Sequence, residues 1–334
     1  MRRSPVLLIT GSSGYLSQLI IDKVLEAGLF DKVVGLDVRP PSDDWSAARS
    51  RFVFKQADVR EVPRLREIFL EAQPTVVLHL AWVFNPTLDH NLQRAIDVGG
   101  SKAVFELAAD MEIFKAPVRK IVYMGSTTAY VNPNNPWQPP FLKEKDPVSG
   151  TPRYLYSKHK AEVDRYAQDF AERNSQIAFT MLRGSIIVGT HTKNVVSQVA
   201  EWHLPGMERF MFTVRGFNPP MQFLSEEDFV EILFRTIAED HPGIFNVAGD
   251  GVINYNDLVS MLGKTPLALP PAMIYPTTEF LWRAKLCPFP AGILDLIRYP
   301  WVADNSKMKQ ALGFSPSKTS QEAFAEFAEA VRKR

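Results

Sequence analysis

Cysteine is almost absent from this 334-residue chain. Cys287 stands alone, which excludes an internal disulfide and a metal site built from thiolates. A reducing cytosol is the simplest setting, so the expected location is cytoplasmic. Long apolar runs are missing too. No stretch approaches the roughly 18 residues that cross a bilayer, and no membrane span is expected. The start, Met1 to Pro5 followed by Val6–Ile9, has the outline of a signal peptide, but its apolar run is too short and Gly11 interrupts it. Neither sign of charge dominates: 38 basic residues against 37 acidic ones leave +1. Without a basic stripe, nucleic acid is not an expected partner. There is no internal repeat and no low-complexity segment. What is present is ordinary globular composition, 46% hydrophobic and 22% charged, long enough for one large domain and a smaller one.

Short apolar runs (Val6–Ile9, Lys32–Leu36, Arg51–Phe54, Thr75–Leu80, Lys120–Met124, Ala178–Leu182) alternate with amphipathic stretches such as Leu16, Leu19, Ile20, Val24 and Leu25. That alternation predicts βαβ units and a parallel sheet, with strands apolar enough to be covered on both faces. Residues 131–153 break the rhythm with Pro133, Pro136, Pro139, Pro140, Pro147 and Pro152, predicting a functional loop before the next helix. Beyond Gly184 the pattern is irregular, and segments 184–219 and 251–300 read as loop-rich. Residues 221–247 read as a return to the main sheet, and a final helix is expected near Ser320–Lys333. The expected architecture is α/β, a doubly wound parallel sheet. Residues 1–183 and about 221–250 form the nucleotide-binding domain. Residues 184–220 and 251–318 form a smaller C-terminal substrate-binding lobe over the crevice, and 319–334 a C-terminal helix.

Thr10-Gly11-Ser-Ser13-Gly14-Tyr15-Leu16-Ser17 lies directly between a strand and a helix. Gly11 permits the tight turn, and Gly14 lets backbone approach a pyrophosphate at the helix amino end. Ser17 takes the place of a third glycine and is small enough for close helix–strand packing. Asp37 ends the second strand, 23 residues after Gly14, where a carboxylate accepts hydrogen bonds from the adenosine ribose. It would repel a 2′-phosphate and so favours NAD over NADP. Arg39 is a counterweight, and a solvated loop acid is the plainer reading of Asp37. Asp58-Val59 follows the third strand, at the adenine edge. Leu80-Ala81-Trp82 ends the fourth, beside the pyrophosphate path. His79 reads as a core residue; no second histidine supports a metal, and none is expected. Tyr156-Ser-Lys-His-Lys160 places a phenol and an ammonium on one helical face, about 6 Å apart along the axis. A lysine held there is expected to lower the phenol's pKa from about 10, giving a proton-transfer group beside a nicotinamide.

Together these residues resemble the extended short-chain dehydrogenase/reductase superfamily, NAD-dependent epimerase/dehydratase group, with its Rossmann-type fold. The resemblance spans nearly the whole chain, through Thr10–Gly14, Asp37, Asp58, His79–Ala81, Gly125–Tyr130, Tyr156–Lys160, Leu182–Gly189 and Phe223–Asp228. It implies that Ser126 orients the substrate oxygen, with Thr127 as the fallback. It implies that Tyr156 is the general acid/base, and that Lys160 lowers its pKa and hydrogen-bonds the nicotinamide ribose. Cofactor contacts are expected from Gly11, Ser13, Gly14, Tyr15, Leu16, Asp37, Val38, Asp58, Val59, Leu80, Ala81, Trp82, Met124, Tyr156, Lys160 and Ile186. The family's usual proline after the sixth strand is Gly184 here. Asp97 replaces a family asparagine and loses its amide donor, so it receives no catalytic role. Family members often dimerise through the helices that here span 98–111 and 156–173. A homodimer is implied, although the stripe Ala103, Val104, Leu107, Ala108, Met111 suits packing on the sheet equally.

Two reactions compete. The first is an oxidoreductase with a dissociable cofactor, acting on a secondary alcohol or ketone of a partly apolar small molecule. The second is a nucleotide-sugar epimerase or dehydratase, such as a UDP-sugar 4-epimerase, that retains and recycles NAD. Sugar-nucleotide members usually carry an arginine where Met221 stands; Arg215 and Arg298 are candidate substitutes and keep the second reading open. Leu267–Tyr275, Phe280–Trp282 and Phe289–Leu296 are rich in large apolar residues, either as substrate wall or as the lobe's own core. Trp82 and Phe84 are expected to face the crevice. A non-catalytic NAD-binding module is the third reading, opposed by the intact Ser126, Tyr156 and Lys160.

Overall fold

In the computed structural model, which describes residues 4–41, 50–110, 112–113, 118–135, 141–190, 192 and 195–333, the expected alternation is realised. Pro136, Pro139, Pro140 and Met111 lie outside the described residues. Strands β1 (Val6–Thr10), β2 (Lys32–Asp37), β3 (Phe52–Gln56), β4 (Val76–His79), β5 (Lys120–Ser126) and β6 (Ala178–Gly184) alternate with helices α1 (Tyr15–Ala27), α2 (Val62–Ala72), α3 (His90–Arg94), α4 (Ser101–Ala109) and α5 (Leu155–Arg173). Then come β7 (Ile186–Val188), α6 (Val195–Glu201), β8 (Phe210–Val214), β9 (Pro220–Met221), β10 (Phe223–Ser225), α7 (Glu226–Ala238), β11 (Gly243–Val247), β12 (Ile253–Asn254), α8 (Tyr255–Met261), β13 (Thr265–Leu269), α9 (Pro271–Arg283), α10 (Ser306–Leu312) and α11 (Ser320–Lys333). The segments expected to be loop-rich therefore contain helices and one parallel strand pair of their own, β13 with β8.

The main sheet has seven parallel strands in the order β11-β6-β5-β4-β1-β2-β3. The order reverses direction between β1 and β4, which opens a crevice at their carboxyl ends. Residues alternate between faces, as a pleated strand requires. Leu8, Val34, Val77, Ile121 and Met181 pack with α2, α4 and α5. Leu7, Ile9, Val33, Leu78, Val122 and Leu182 pack with α1, α7 and α10. Of residues 221–247, only β11 joins the main sheet; β10 pairs with β7 outside it. Val104, Leu107 and Ala108 are buried against the chain's own sheet, so that stripe carries no argument for a dimer. No helix among the described residues is long and apolar enough to cross a membrane.

A buried ion pair ties α5 to β6. Arg183 Nε and Nη2 donate to the two Asp164 oxygens at 2.7 Å each, and Nη1 donates to the Tyr130 hydroxyl and to Glu144 O. Both ionic side chains are almost wholly out of water. Removing one partner strands the other's charge. Arg183→Leu is expected to lower urea-unfolding stability by about 3–5 kcal/mol; a change under about 1 kcal/mol would show that the pair does not hold α5.

Candidate active site

The crevice begins at the turn between β1 and α1. Gly11 has φ +72°, and a Cβ there would lie 2.7 Å from Ala81 Cα, so only glycine lets β1 and the end of β4 approach this closely. Gly14 caps α1 with no side-chain acceptor, leaving the first-turn N–H groups and the positive end of the helix dipole facing the crevice. Ser17, in the third-glycine place, donates to Gly11 O at 2.7 Å and locks the turn. Asp37 accepts from Ser13 N at 3.1 Å and Arg39 N at 3.0 Å, which joins the turns after β1 and β2.

One cavity of about 1060 Å³ runs from this turn past Tyr156 into the C-terminal part of the chain. Gly11, Ser13, Gly14, Tyr15, Leu16, Leu80, Met124, Ser126, Tyr156, Ile186 and Phe84 line it. The Tyr15 hydroxyl and Ser185 Oγ on its wall, and Trp82 Nε1 beside it, are buried without a hydrogen-bond partner among the described residues. Unpaired buried polar atoms around a glycine-walled groove at a helix amino end fit a dinucleotide. Several expected contacts lie elsewhere. Val38 is 51% exposed and off the wall. Asp58 turns to Arg60, whose guanidinium hydrogen bonds hold its carboxyl below the usual range. Val59 is buried beneath Gly100, and Ala81 backs Gly11 instead of reaching the cavity. The Thr127 hydroxyl turns inward to Gly184 O at 3.2 Å, so the fallback substrate residue does not reach the cavity, whereas Thr128 does.

Tyr156 sits in the first turn of α5, boxed by Trp82, Phe84 and Tyr154 at ring-centroid distances of 6.0, 6.0 and 5.9 Å. Ser126 Oγ is 2.9 Å from Thr128 Oγ1. Burial pushes the Tyr156 phenol well above its ordinary pKa; its hydrogen bond with Ser126 opposes this, and the Asp97 carboxylate adds to it. Lys160 Nζ donates to Met124 O at 2.6 Å and lies 3.5 Å from the centre of the Trp82 ring. Burial pulls its pKa down to about 7, against Asp97 and Asp164. At the phenol, loss of water is thus the largest effect.

Asp97 is wholly buried, accepting from Val83 N at 2.9 Å and meeting His159 Nδ1 at 2.9 Å. It ties α5 to the segment after β4. His79 is flanked by Thr10 and Ser101 at 2.7 and 2.9 Å, and burial lowers it to about 3, so it is a neutral core residue. Among the described residues, no group of three His, Cys, Asp or Glu side chains is placed to hold a metal.

Beyond Tyr156 the wall is apolar: Val195, Val199, Trp202, Phe212, Ile274, Phe289, Ile293, Leu294 and Ile297. The spacing of Val195, Val199 and Trp202, one helical face, was a usable signal for α6 that the irregular reading of this segment missed. Met221 is on the wall where an arginine was sought. Arg298 is instead stacked on Phe217, Tyr299 and Tyr275, at 4.7, 5.1 and 5.8 Å from their ring centres, and Arg215 is exposed. Among the described lining residues only Arg39, beside Ser13, and His203 are basic.

A sheet reversing at β1/β4, a glycine turn at the reversal and a Ser126–Tyr156–Lys160 cluster above it define an extended short-chain dehydrogenase/reductase. The model of the NAD-dependent epimerase/dehydratase family matches residues 7–248; the chain belongs to that family, and NAD is its cofactor. An uncharacterized protein of Mycobacterium tuberculosis is 24% identical over 329 residues, 96% of this chain and 83% of the relative. A UDP-glucose 4-epimerase of Neisseria meningitidis is 22% identical over 271 residues, 74% of this chain and 76% of its own length. Among solved structures, the dTDP-glucose 4,6-dehydratase of Bacillus anthracis in complex with NAD has a TM-score of 0.71 at 14% identity, covering 99% of this chain and 97% of that one. The UDP-glucose 4-epimerase of Thermotoga maritima with UDP-glucose has a TM-score of 0.71 at 17% identity, covering 98% and 99%. These likenesses to solved structures show the fold.

Two outcomes are expected. Asp37→Ala should shrink the ratio of NADP to NAD dissociation constants about ten-fold or more; an unchanged ratio in fluorescence titration would remove Asp37 from the ribose site. An unfolded lysine titrates near about 10.4, whereas folded Lys160 holds its proton only below about 7. Between those values the unfolded chain binds the extra proton, so this group makes stability rise with pH across that window. Lys160→Met should flatten that rise in urea unfolding, and an identical slope would show another source.

Proposed function

We propose that the protein is an NAD-dependent oxidoreductase that transfers hydride reversibly at a secondary alcohol or ketone carbon of a partly apolar substrate. The observation that carries this reading is the apolar wall beyond Tyr156, where no described lysine or arginine stands to pair a diphosphate. The segments 184–220 and 251–318 then serve as the substrate-binding lobe. A cytoplasmic homodimer is the expected working form.

In this reading Gly11, Ser13, Gly14, Tyr15, Leu16, Asp37, Leu80, Met124 and Ile186 hold the cofactor. Bound NAD supplies the hydride acceptor, and its reduced form the donor. The substrate oxygen lies between Ser126 Oγ and Tyr156 Oη. In reduction, Tyr156 gives its phenolic proton to the oxygen as the carbon receives hydride; in oxidation it takes the proton back. Burial holds the Tyr156 phenol above its ordinary pKa, which favours the protonated form that donates in carbonyl reduction. Thr128 supports the Ser126 hydroxyl. Lys160, held by Met124 O and covered by Trp82, sets the potential around the phenol. The aromatic box around Tyr156 keeps bulk water from the transferred proton.

The second reading, a nucleotide-sugar epimerase or dehydratase, is favoured by sequence relatives named as UDP-glucose 4-epimerases. Denaturing freshly purified protein and measuring released nucleotide separates the two. The oxidoreductase reading expects a dissociable cofactor and turnover of hydrophobic alcohols or ketones. Stoichiometric retained NAD together with UDP-sugar interconversion would overturn it. Tyr156→Phe should lower turnover by about 10²–10⁴-fold while NAD affinity stays within about two-fold; comparable turnover would sink the acid/base assignment.

A further inference from the structure

The cavity does not end at the wall of α6 and α9. It continues into the packed core of the C-terminal part of the chain, where Met211, Met221, Tyr255, Leu258 and Leu262 line it. All five are buried and belong to one core cluster with Phe324 and Phe327 of α11. Tyr255, Leu258 and Leu262 recur at spacings of three and four, one face of α8 and its carboxyl cap. Met211 comes from β8 and Met221 from β9. Val199 of α6 also lines the cavity and packs with both this cluster and the one that holds Tyr154 and Tyr156, which makes it the join between the two parts. Protein interiors are close-packed, so a cavity that reaches in among core side chains has to be accounted for.

The chemistry of this inner arm is lopsided. Four of the five side chains are aliphatic or thioether. The fifth, Tyr255, brings one hydroxyl. Burial alone pushes that phenol's pKa up, and no described residue hydrogen-bonds its hydroxyl. Buried polar side chains are ordinarily paired, as Trp301 on the same wall is, donating from Nε1 to Leu296 O at 2.8 Å. Water is a poor occupant, since it needs about two to four polar partners and these side chains supply one. An apolar void takes an apolar ligand, and unbranched methionines adapt to its shape.

We propose that the inner arm receives the body of the substrate: a hydrocarbon chain or ring system that runs from the reacting carbon at Ser126 and Tyr156 past Val199 to α8, and carries at its far end an oxygen that hydrogen-bonds the Tyr255 hydroxyl. The substrate class is then a molecule with an oxygen at each end of an apolar body. Apolar walls supply affinity and the lone hydroxyl fixes which end goes in first. Which end reacts rests on the hydride-transfer reading; binding of the body in the arm does not.

The test is calorimetric binding to the full-length chain saturated with NAD, which cannot reduce a ketone, so affinity is read without turnover. The probes are 2-alkanones from 2-hexanone to 2-tetradecanone and the same chains with a hydroxyl on the last carbon. Affinity for the plain ketones should rise about three- to four-fold per added methylene until the arm is filled. At the matching length Tyr255→Phe should weaken the hydroxy ketone about five-fold and spare the plain one; the plain ketone is the control for an intact fold. Affinity that ignores length from 2-hexanone on, or equal effects of Tyr255→Phe on hydroxy and plain ketones at every length, overturns the proposal. Probes that bind as expected yet are not reduced when NADH replaces NAD would support the arm and count against the hydride-transfer reading alone. Reduction of short ketones with no gain from length or hydroxyl would overturn the arm alone.

Discussion

The crevice is organised around one desolvated cation. Lys160 Nζ has lost its water and retains Met124 O at 2.6 Å and the Trp82 face at 3.5 Å. A charge in such a setting is costly unless its partners are held rigidly. The surroundings supply that rigidity. Asp97 and His159 pin α5 to the segment after β4. The Ser157 hydroxyl donates to Thr128 O at 2.7 Å and pins α5 to the end of β5. Arg183 and Asp164 pin it to β6. The same crowding leaves Tyr156 half-buried at the cavity wall, so one constraint acts on both groups. Burial pulls the lysine's pKa down to about 7 and pushes the phenol's up.

The cavity inherits its two characters from two parts of the chain. At the glycine turn it is walled by backbone, a helix amino end and unpaired hydroxyls, as an anionic dinucleotide requires. Past Tyr156 it is walled by α6, β8, α9 and the turn at Ala291–Ile297, which bring branched and aromatic side chains. A substrate there gains by leaving water and meets little that pairs with charge. Helix α9 walls the cavity with Ile274 and Thr278 and turns its other side outward.

Legibility followed locality. The six strands up to Gly184, the turn at Gly11–Gly14 and the Tyr156/Lys160 face were readable because short apolar runs, glycine conformational freedom and helical spacing act over a few residues. Helix α6 offered only the short Val195, Val199, Trp202 spacing, and the β8–β13 pair offered none, because the pairing of short strands distant in sequence depends on tertiary packing more than on propensity. Val59 and Thr127 each follow an expected site residue, Asp58 and Ser126, yet point inward, a matter of one residue's direction in a tight turn. Met221 shows the reverse: a substitution visible in the sequence whose meaning depended on whether Arg215 or Arg298 reached the cavity, and neither lines it.

The sequence by itself determined the doubly wound sheet, the family and the dinucleotide end of the crevice, because strand periodicity and turn chemistry are local. Only the tertiary structure decided the desolvation of Tyr156 and Lys160 and the apolar character of the cavity beyond Tyr156. Desolvation depends on which side chains close over a group. Here Trp82, Phe84, Ile274 and Phe289 are gathered from distant segments of the chain, a convergence no local pattern records.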